Sequence, residues 1–384
     1  MKKKVGSIVI FGIFLIFLSV HAKAWATTKR LTWNSGNSSL PAAATDSNNN
    51  IHVIWQDSSP LNYELYYKKS TDGGINWTGG KRLTWNPSYS AEPALAIDSS
   101  DTIHTVWEDN SPGYSQIFYK RSTDGGATWI TKRLSWTSGD SHHPDLATDS
   151  NDHIYVVYRD NGPGNYEIYY RKSTDGGASW TGTQRLTWNP RLSYSPAIAI
   201  DSSNNIHLAW HENVDEYSTN YEVFYMKSMD GGATWTPARR LTWNSGLSEA
   251  SAIAADTSDN IYIAWQDGPP TNREIYYKKS TDGGATWATK KLTWNSGNSC
   301  SPDITIDASD RIHIAWYDYT PGNAEIFYKG STDGGSTWDS NRFTWNTGQS
   351  MEPCLAIDSG FKLHVVWDDD SSGASREIYY KNNY

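Results

Sequence analysis

The sequence predicts an all-β chain, a seven-bladed β-propeller of four-stranded antiparallel blades whose last blade is closed by the N-terminal strand. Three observations carry that expectation. The tetrad Arg-Leu-Thr-Trp, or a near copy, begins at Arg30, Arg82, Arg133, Arg185, Arg240, Lys291 and Arg342, at spacings of 51 to 55 residues. Turn-rich segments divide each repeat into four short apolar or aromatic runs, the pattern of strands and not of helices. The chain also opens on a fourth-run element (Lys29 to Trp33) and stops after a third-run element (Glu377 to Lys381), so joining the ends completes one unit. Short antiparallel strands in a unit of this length, repeated seven times, are the signature of a propeller.

Each run has its own reason. The first is small and apolar, as in Pro93-Ala94-Leu95-Ala96-Ile97-Asp98, which suits the crowded position beside a central axis. The second, Ile51-His52-Val53-Ile54-Trp55, returns from Ile103, Ile154, Ile206, Ile261, Ile312 and Leu363; its β-branched and aromatic content favours a strand. The third, Tyr-rich, starts at Glu64, Gln116, Glu167, Glu222, Glu274, Glu325 and Glu377, and the fourth leads into the tetrad. The later strands carry the aromatic residues that a widening wedge needs, and 19 of the 20 tryptophans fall at repeated positions. His52, His104, His207, His313 and His364 lie inside second strands and are read as packing residues, not metal ligands.

Residues 1–26 stand apart. A basic start, an apolar run from Ile8 to Val20 and small residues at Ala22, Ala24 and Ala26 give the layout of a secretory signal peptide. The expected organisation is therefore a signal peptide over 1–26 and one propeller domain over 27–384. Without the first segment the chain has 29 basic and 42 acidic residues, a net charge of −13. Such a chain repels phosphate backbones, which excludes nucleic acid as the expected partner. No later segment is apolar for the length of a membrane span. Cys300 and Cys354 make no disulfide framework and are read as small residues near innermost strands.

Between the third and fourth runs lies Ser-Thr-Asp-Gly-Gly-x-x-Trp or a near copy, six times, with its aspartate at Asp72, Asp124, Asp175, Asp230, Asp282 and Asp333. An aspartate and a serine there accept bonds from the amides that follow, and glycines supply positive φ, so the element reads as a turn. It resembles the Asp box of the bacterial neuraminidase repeat, found in sialidases and their propeller relatives, and the resemblance covers essentially the whole chain after residue 26. It implies that the boxes are structural and lie on the face opposite any binding site.

The other face is formed by the loops after the tetrad and after the second strand. A recurring acid follows the second strand at Asp57, Asp109, Asp160, Asp267, Asp318 and Asp369, with Asn213 in the fourth copy. These acids either stabilise every loop or hold a similar ligand in each groove between blades; sugars suit such grooves, since aromatic faces take their apolar side and polar side chains fix their hydroxyls. Residues that break the repeat mark a unique site instead: Arg159, Arg191, Arg273 and Arg376 for an anion, and His142, His143, Asp145, His211, Glu212, Asp215 and Glu216 in the third and fourth copies. The arginine motif that precedes the first box in sialidases is absent, with Lys29-Arg30-Leu31-Thr32-Trp33 in its place. The expected function is therefore an exported, monomeric, cofactor-free binding propeller that recognises a glycan or a cell-surface protein. A sialidase-type glycoside hydrolase using Arg159, Arg191, Glu212, Arg273 or Arg376 is the alternative, and an extracellular scaffold the third reading.

Overall fold

The computed structural model describes residues 25–215, 220–373 and 375–383; the segment read as a signal peptide lies, up to residue 24, outside the described residues, as does Glu216. Seven four-stranded antiparallel sheets follow one another around an axis. Blade 1 comprises Ser38–Thr45, Ile51–Asp57, Glu64–Ser70 and Lys81–Arg82. Blades 2 to 6 repeat that order, starting at Ser90, Ser141, Ser193, Leu247 and Ser299. Blade 7 takes Ser350–Ile357, Leu363–Asp369 and Glu377–Asn382 from the end of the chain and Lys29–Arg30 from its start, with Lys29 paired to Tyr380 and Arg30 to Tyr379. The ring is thus closed by the N-terminal strand as expected. Among the described residues no helix is long and apolar enough to cross a membrane.

The second strands explain why their sequences do not alternate. All seven residues of Ile51–Asp57 are buried, because both faces of that strand are covered by neighbouring blades. The histidines are satisfied within this layer: His52 bonds the Tyr67 hydroxyl at 2.8 Å and Asp46 at 3.1 Å, and His104, His207, His313 and His364 repeat the arrangement.

The Asp boxes clamp each blade to the one before it. Asp282 accepts the Thr286 amide at 2.7 Å and the Ser280 hydroxyl at 2.8 Å, while Ser280 accepts the Gly284 amide at 2.8 Å. These bonds hold the Asp282 carboxyl down to about 2, the Thr286 contacts contributing most. Gly284 has φ of 89°, and a Cβ there would lie 2.5 Å from the Tyr225 ring of the preceding blade. Trp287 meets that same tyrosine edge-on at 5.1 Å.

Blade 7 has no box, and Trp25 takes the place of the missing tryptophan. It stands five residues before Arg30, as Trp77 stands five before Arg82. It meets Tyr328 of blade 6 edge-on at 5.5 Å, against 5.4 Å for Trp129 on Tyr67. It also bridges to Asn383, and Ala26 donates to the Asn382 carbonyl at 2.8 Å. The propeller therefore takes in two residues ahead of position 27, and all 20 tryptophans occupy repeated positions. Trp25→Ala should lower the unfolding free energy by about 2–4 kcal/mol, as much as Trp129→Ala; chemical denaturation of the two variants side by side checks this, and a silent Trp25→Ala would show that closure does not depend on it.

Candidate functional site at the axial mouth

Every innermost strand carries a bulge at its loop-face end. The register slips between Ala91 and Ala94, between His142 and Asp145, and at the matching place in each other blade. One residue of each bulge is left-handed: Leu40, Glu92, His143, Ser195, Ala250, Ser301 and Glu352, with φ between 44° and 52°. A non-glycine residue costs of order 1 kcal/mol in that conformation. Since all seven blades adopt it, the strain belongs to the fold and not to one catalytic group. Its effect is to turn seven side chains into the mouth of the central channel, around a cavity of about 430 Å³.

Behind this ring stand the residues between the second-strand Trp or Tyr and the recurring acid: Gln56, Glu108, Arg159, His211, Gln266, Tyr317 and Asp368. Each pairs across its blade with Ser39, Ala91, His142, Tyr194, Glu249, Cys300 or Met351 respectively. All three sets differ from blade to blade, whereas the positions around them repeat. A sevenfold scaffold therefore carries one asymmetric site.

Half of the mouth is aromatic and basic. The Arg159 guanidinium lies 4.5 Å from the ring centres of both Tyr166 and Tyr194. Tyr194 stacks on His211 at 5.7 Å, and His211 meets Tyr221 edge-on at 5.5 Å. His142 bonds Glu108 at 2.8 Å, and His143 Nδ1 lies 3.2 Å from Glu92 Oε2. Burial pushes Glu92 up to about 8, and the neighbouring Glu108 adds to the shift. Burial, then Arg159, pushes His143 down to about 3, and the same two causes act on His211. The Glu92 and His143 shifts both weigh against an ion pair in the His143–Glu92 contact.

The other half is ionic. Arg376 pairs with Asp368, and Arg273 with Glu249 at 3.1 Å. Gln266 donates to Glu249 at 3.2 Å and accepts the Ser301 amide at 3.0 Å. Burial raises Glu352 to about 7, with Asp368 adding to it. Below the mouth Asp145 and Asp303 line the channel, partly buried, each accepting a backbone amide from the next blade, Ile198 at 2.9 Å and Leu355 at 2.7 Å. Burial lifts them to about 6 and about 7. Four buried polar atoms around the mouth have no protein partner: Arg159 Nε, His211 Nδ1, Ser251 Oγ and Arg273 Nε. Among the described residues no three metal-binding side chains converge.

The sequence candidates separate cleanly. Arg159, Arg273, Arg376, His142, His143 and His211 reach the mouth. Arg191 does not; its charge acts on Glu212. Asp57, Asp109, Asp160, Asp267, Asp318 and Asp369, considered as ligand-binding acids, are buried beneath the loops. Asp57 accepts from Asn34, Ser38 and Trp55 through one oxygen and from Ser59 through the other, which leaves no lone pair facing solvent. The fourth copy needs a correction. Glu212, not Asn213, pairs with Ser193 as Asp57 pairs with Ser38, and it accepts from Trp210 at 3.2 Å as Asp57 does from Trp55. Asn213 is one residue further on and bonds Asp215. Both cysteines are free. The positions that sequence reading passed over are Glu92, Glu108, Tyr166, Tyr194 and Glu352. Variability between invariant neighbours is the signal that marks most of them.

Comparison with known proteins agrees with this architecture. The sequence signature of a BNR repeat-containing family member matches residues 91–240. No curated protein matches the sequence. Among solved structures, an ulvan lyase of polysaccharide lyase family PL25, bound to a GlcA(1-4)Rha3S unit, superposes with a TM-score of 0.67 at 12% identity, covering 92% of this chain and 95% of that one. The GH93 α-L-arabinofuranosidase of Fusarium graminearum, in complex with arabinobiose, gives 0.60 at 15% identity over 80% and 98%. The Hadza microbial sialidase Hz136 gives 0.53 at 17% identity over 86% and 76%. At these identities the likeness is one of fold.

The raised acids set a pH dependence. Glu92, Glu352 and Asp303 keep a proton in the folded chain after the unfolded chain has lost it near pH 4. The folded state then binds more protons, and stability falls as pH rises toward about 8. His143 and His211 act oppositely, costing stability only as pH drops below about 6.5. Between about pH 6.5 and 8.5 only the acids act, so the wild type should lose stability over that interval. Glu92→Gln should recover about 1–2 kcal/mol of the loss at the alkaline end, discounted for partial solvent access. Thermal melts across the interval check this, and parallel curves for the two proteins would contradict it.

Proposed function

From the premise that this chain is a sialidase-like, BNR-repeat β-propeller, we propose that it is a carbohydrate-recognition protein that seats a saccharide at the axial mouth. The observation that carries this reading is the asymmetric ring itself: seven blade-specific positions converge on one cavity, and buried polar atoms of Arg159, His211, Ser251 and Arg273 around it lack protein partners. Sugars need such a mixture, in which aromatic rings cover the apolar ring face and fixed donors and acceptors take the hydroxyls. The similarly folded ulvan lyase and α-L-arabinofuranosidase, each solved with a bound saccharide, support it. We further propose export, on the signal-peptide layout of residues 1–26, and action as a cofactor-free monomer.

A sialidase reading is less well supported. Three arginines do reach the mouth, but Arg273 and Arg376 are tied to Glu249 and Asp368, which leaves only Arg159 for a ligand carboxylate. One observation favours turnover of another kind. Burial pushes the Glu92 carboxyl up to about 8, so a candidate general acid lines the mouth.

A glycan array probed with the purified protein is expected to show binding to a limited set of saccharides. Arg159→Ala should weaken it at least tenfold, the loss of one charge-assisted contact in a desolvated site. Asp109→Ala should leave binding intact per folded molecule while lowering stability by about 2–4 kcal/mol, since it strands the buried donors of Asn86, Ser90 and Trp107. Absence of binding on the array would remove the proposal. Depolymerisation of a bound polysaccharide that disappears in Glu92→Gln would establish the catalytic reading instead.

A further inference from the structure

The third strand of each blade carries one long side chain beside the outer strand of the blade before it, and in four blades that side chain crosses to it. In six blades it is basic: Lys68, Lys120, Arg171, Lys278, Lys329 and Lys381. Lys329 donates to the Leu292 carbonyl at 2.6 Å and lies 5.9 Å from the exposed Trp294 ring. Lys381 does the same with the Phe343 carbonyl, at 3.3 Å, and Trp345. Lys68 bonds the Leu31 carbonyl over Trp33, and Arg171 the Leu134 carbonyl over Trp136. Lys120 and Lys278 turn instead to Thr131 and Thr289, over Trp107 and Trp265. Each groove thus satisfies a cation internally, four of them against a carbonyl and an exposed indole face.

Blade 4 breaks the rule. Its residue at this position is Met226, and the groove opens into a cavity of about 570 Å³ bounded by Leu186, Trp188, Glu212, Phe224, Met226 and Trp235. Leu186 and Trp188 are the equivalents of Leu292 and Trp294. Trp188 is 69% exposed, and Arg185 of its own strand sits over it at 5.7 Å. Trp33, Trp136 and Trp345 each hold two cations, one from their own strand and one from the next blade. A second repeat-breaking residue reaches the same cavity: Glu212 stands where six blades have aspartate, one methylene longer, and adds a carboxyl to the wall.

We propose that the groove between blades 3 and 4 is a binding site for a lysine-type alkylammonium group, which takes the place that the protein's own lysine or arginine fills in the sister grooves. The ammonium stacks on Trp188 and bonds the Leu186 carbonyl, its methylene stem lies along Phe224 and Met226, and Glu212 supplies the counter-charge. Burial pushes the Glu212 carboxyl up to about 7, and a bound cation draws it into its ionised form. A cation over an indole face contributes more as it is desolvated. The site is separate from the axial mouth and does not rest on the saccharide reading.

The test uses n-butylammonium as probe and n-butanol as its uncharged counterpart, with titration calorimetry on the whole protein. One butylammonium is expected to bind per chain, and butanol at least tenfold more weakly. Met226→Lys installs the residue found in five other blades, so it should keep the wild-type unfolding midpoint while abolishing binding. Trp188→Ala, at an exposed position, should weaken binding roughly fivefold to tenfold. Equal binding of butanol, or unchanged binding in Met226→Lys, overturns the proposal, as does absence of any butylammonium binding. Tighter binding of Nα-acetyl-lysine amide than of butylammonium would assign the group to a peptide lysine, and equal binding to a free amine.

Discussion

The structure depends on one contact repeated around the ring, that of a tyrosine ring against the second glycine of the next Asp box. Tyr67 lies where a Cβ of Gly126 would be, 2.4 Å from its ideal position, and Tyr119, Tyr170 and Tyr225 do the same to Gly177, Gly232 and Gly284. Any side chain at that glycine would push the blades apart. The tyrosine hydroxyl turns back to a second-strand histidine, which is fixed in turn by the aspartate of the first turn. One chain of contacts thus ties the box, the third strand and the second strand of adjacent blades. Exposed carboxylates such as Asp282 are needed because they hold the glycines in the left-handed geometry that admits the ring.

This explains how the ring tolerates a missing box. The essential parts for blade 6 are a tyrosine and something flat to receive it, and Trp25 with Phe343 supplies that at 5.5 Å and 5.3 Å from Tyr328. The turns between first and second strands close the other layer of the same face. Ser47 donates to Asp101 of the next blade, and Ser359 of blade 7 to Asn49 of blade 1. Closure pairs Lys29–Arg30 with the end of the chain, so the edges that remain are the short outer strands of the blades and the innermost strands at the axis.

The repeat, the strand order and the closure were legible in the sequence because each recurs at fixed spacing. The site was less so. Alternation along a strand says which residues share a face, but not whether that face meets solvent, a neighbouring blade or the axis. Asp57 and Gln56 are adjacent polar residues at a strand end, and only packing shows that Asp57 turns into the loop foundation while Gln56 turns to the mouth. The fourth copy was displaced by one position for a related reason: Glu212 and Asn213 both resemble the expected acid, and the longest insertion follows them. Arg159, Arg273 and Arg376 were found because they break the pattern. Glu92 and Glu352 were passed over because they precede proline in a run read as a small apolar strand, and no spacing announces a bulge.

A repeated scaffold separates what must recur from what is free to differ. A substitution at the Tyr, Gly or Trp of the clasp opens a seam, so those positions stay uniform within the chain. The mouth residues and the groove-crossing side chain lie at the ends of that clasp and bear little of it. Blade 4 departs from the pattern at both, with His211 at the mouth and Met226 in the groove, and its second strand reaches both places. His211 and Glu212 are neighbours on Ile206–Asn213, and period-two alternation sends one toward the axis and the other toward the outer groove. Binding at either place therefore presses on the same strand end, held between Ser193 and Glu222. That strand end is where an asymmetric function enters a symmetric fold at the least cost to the ring.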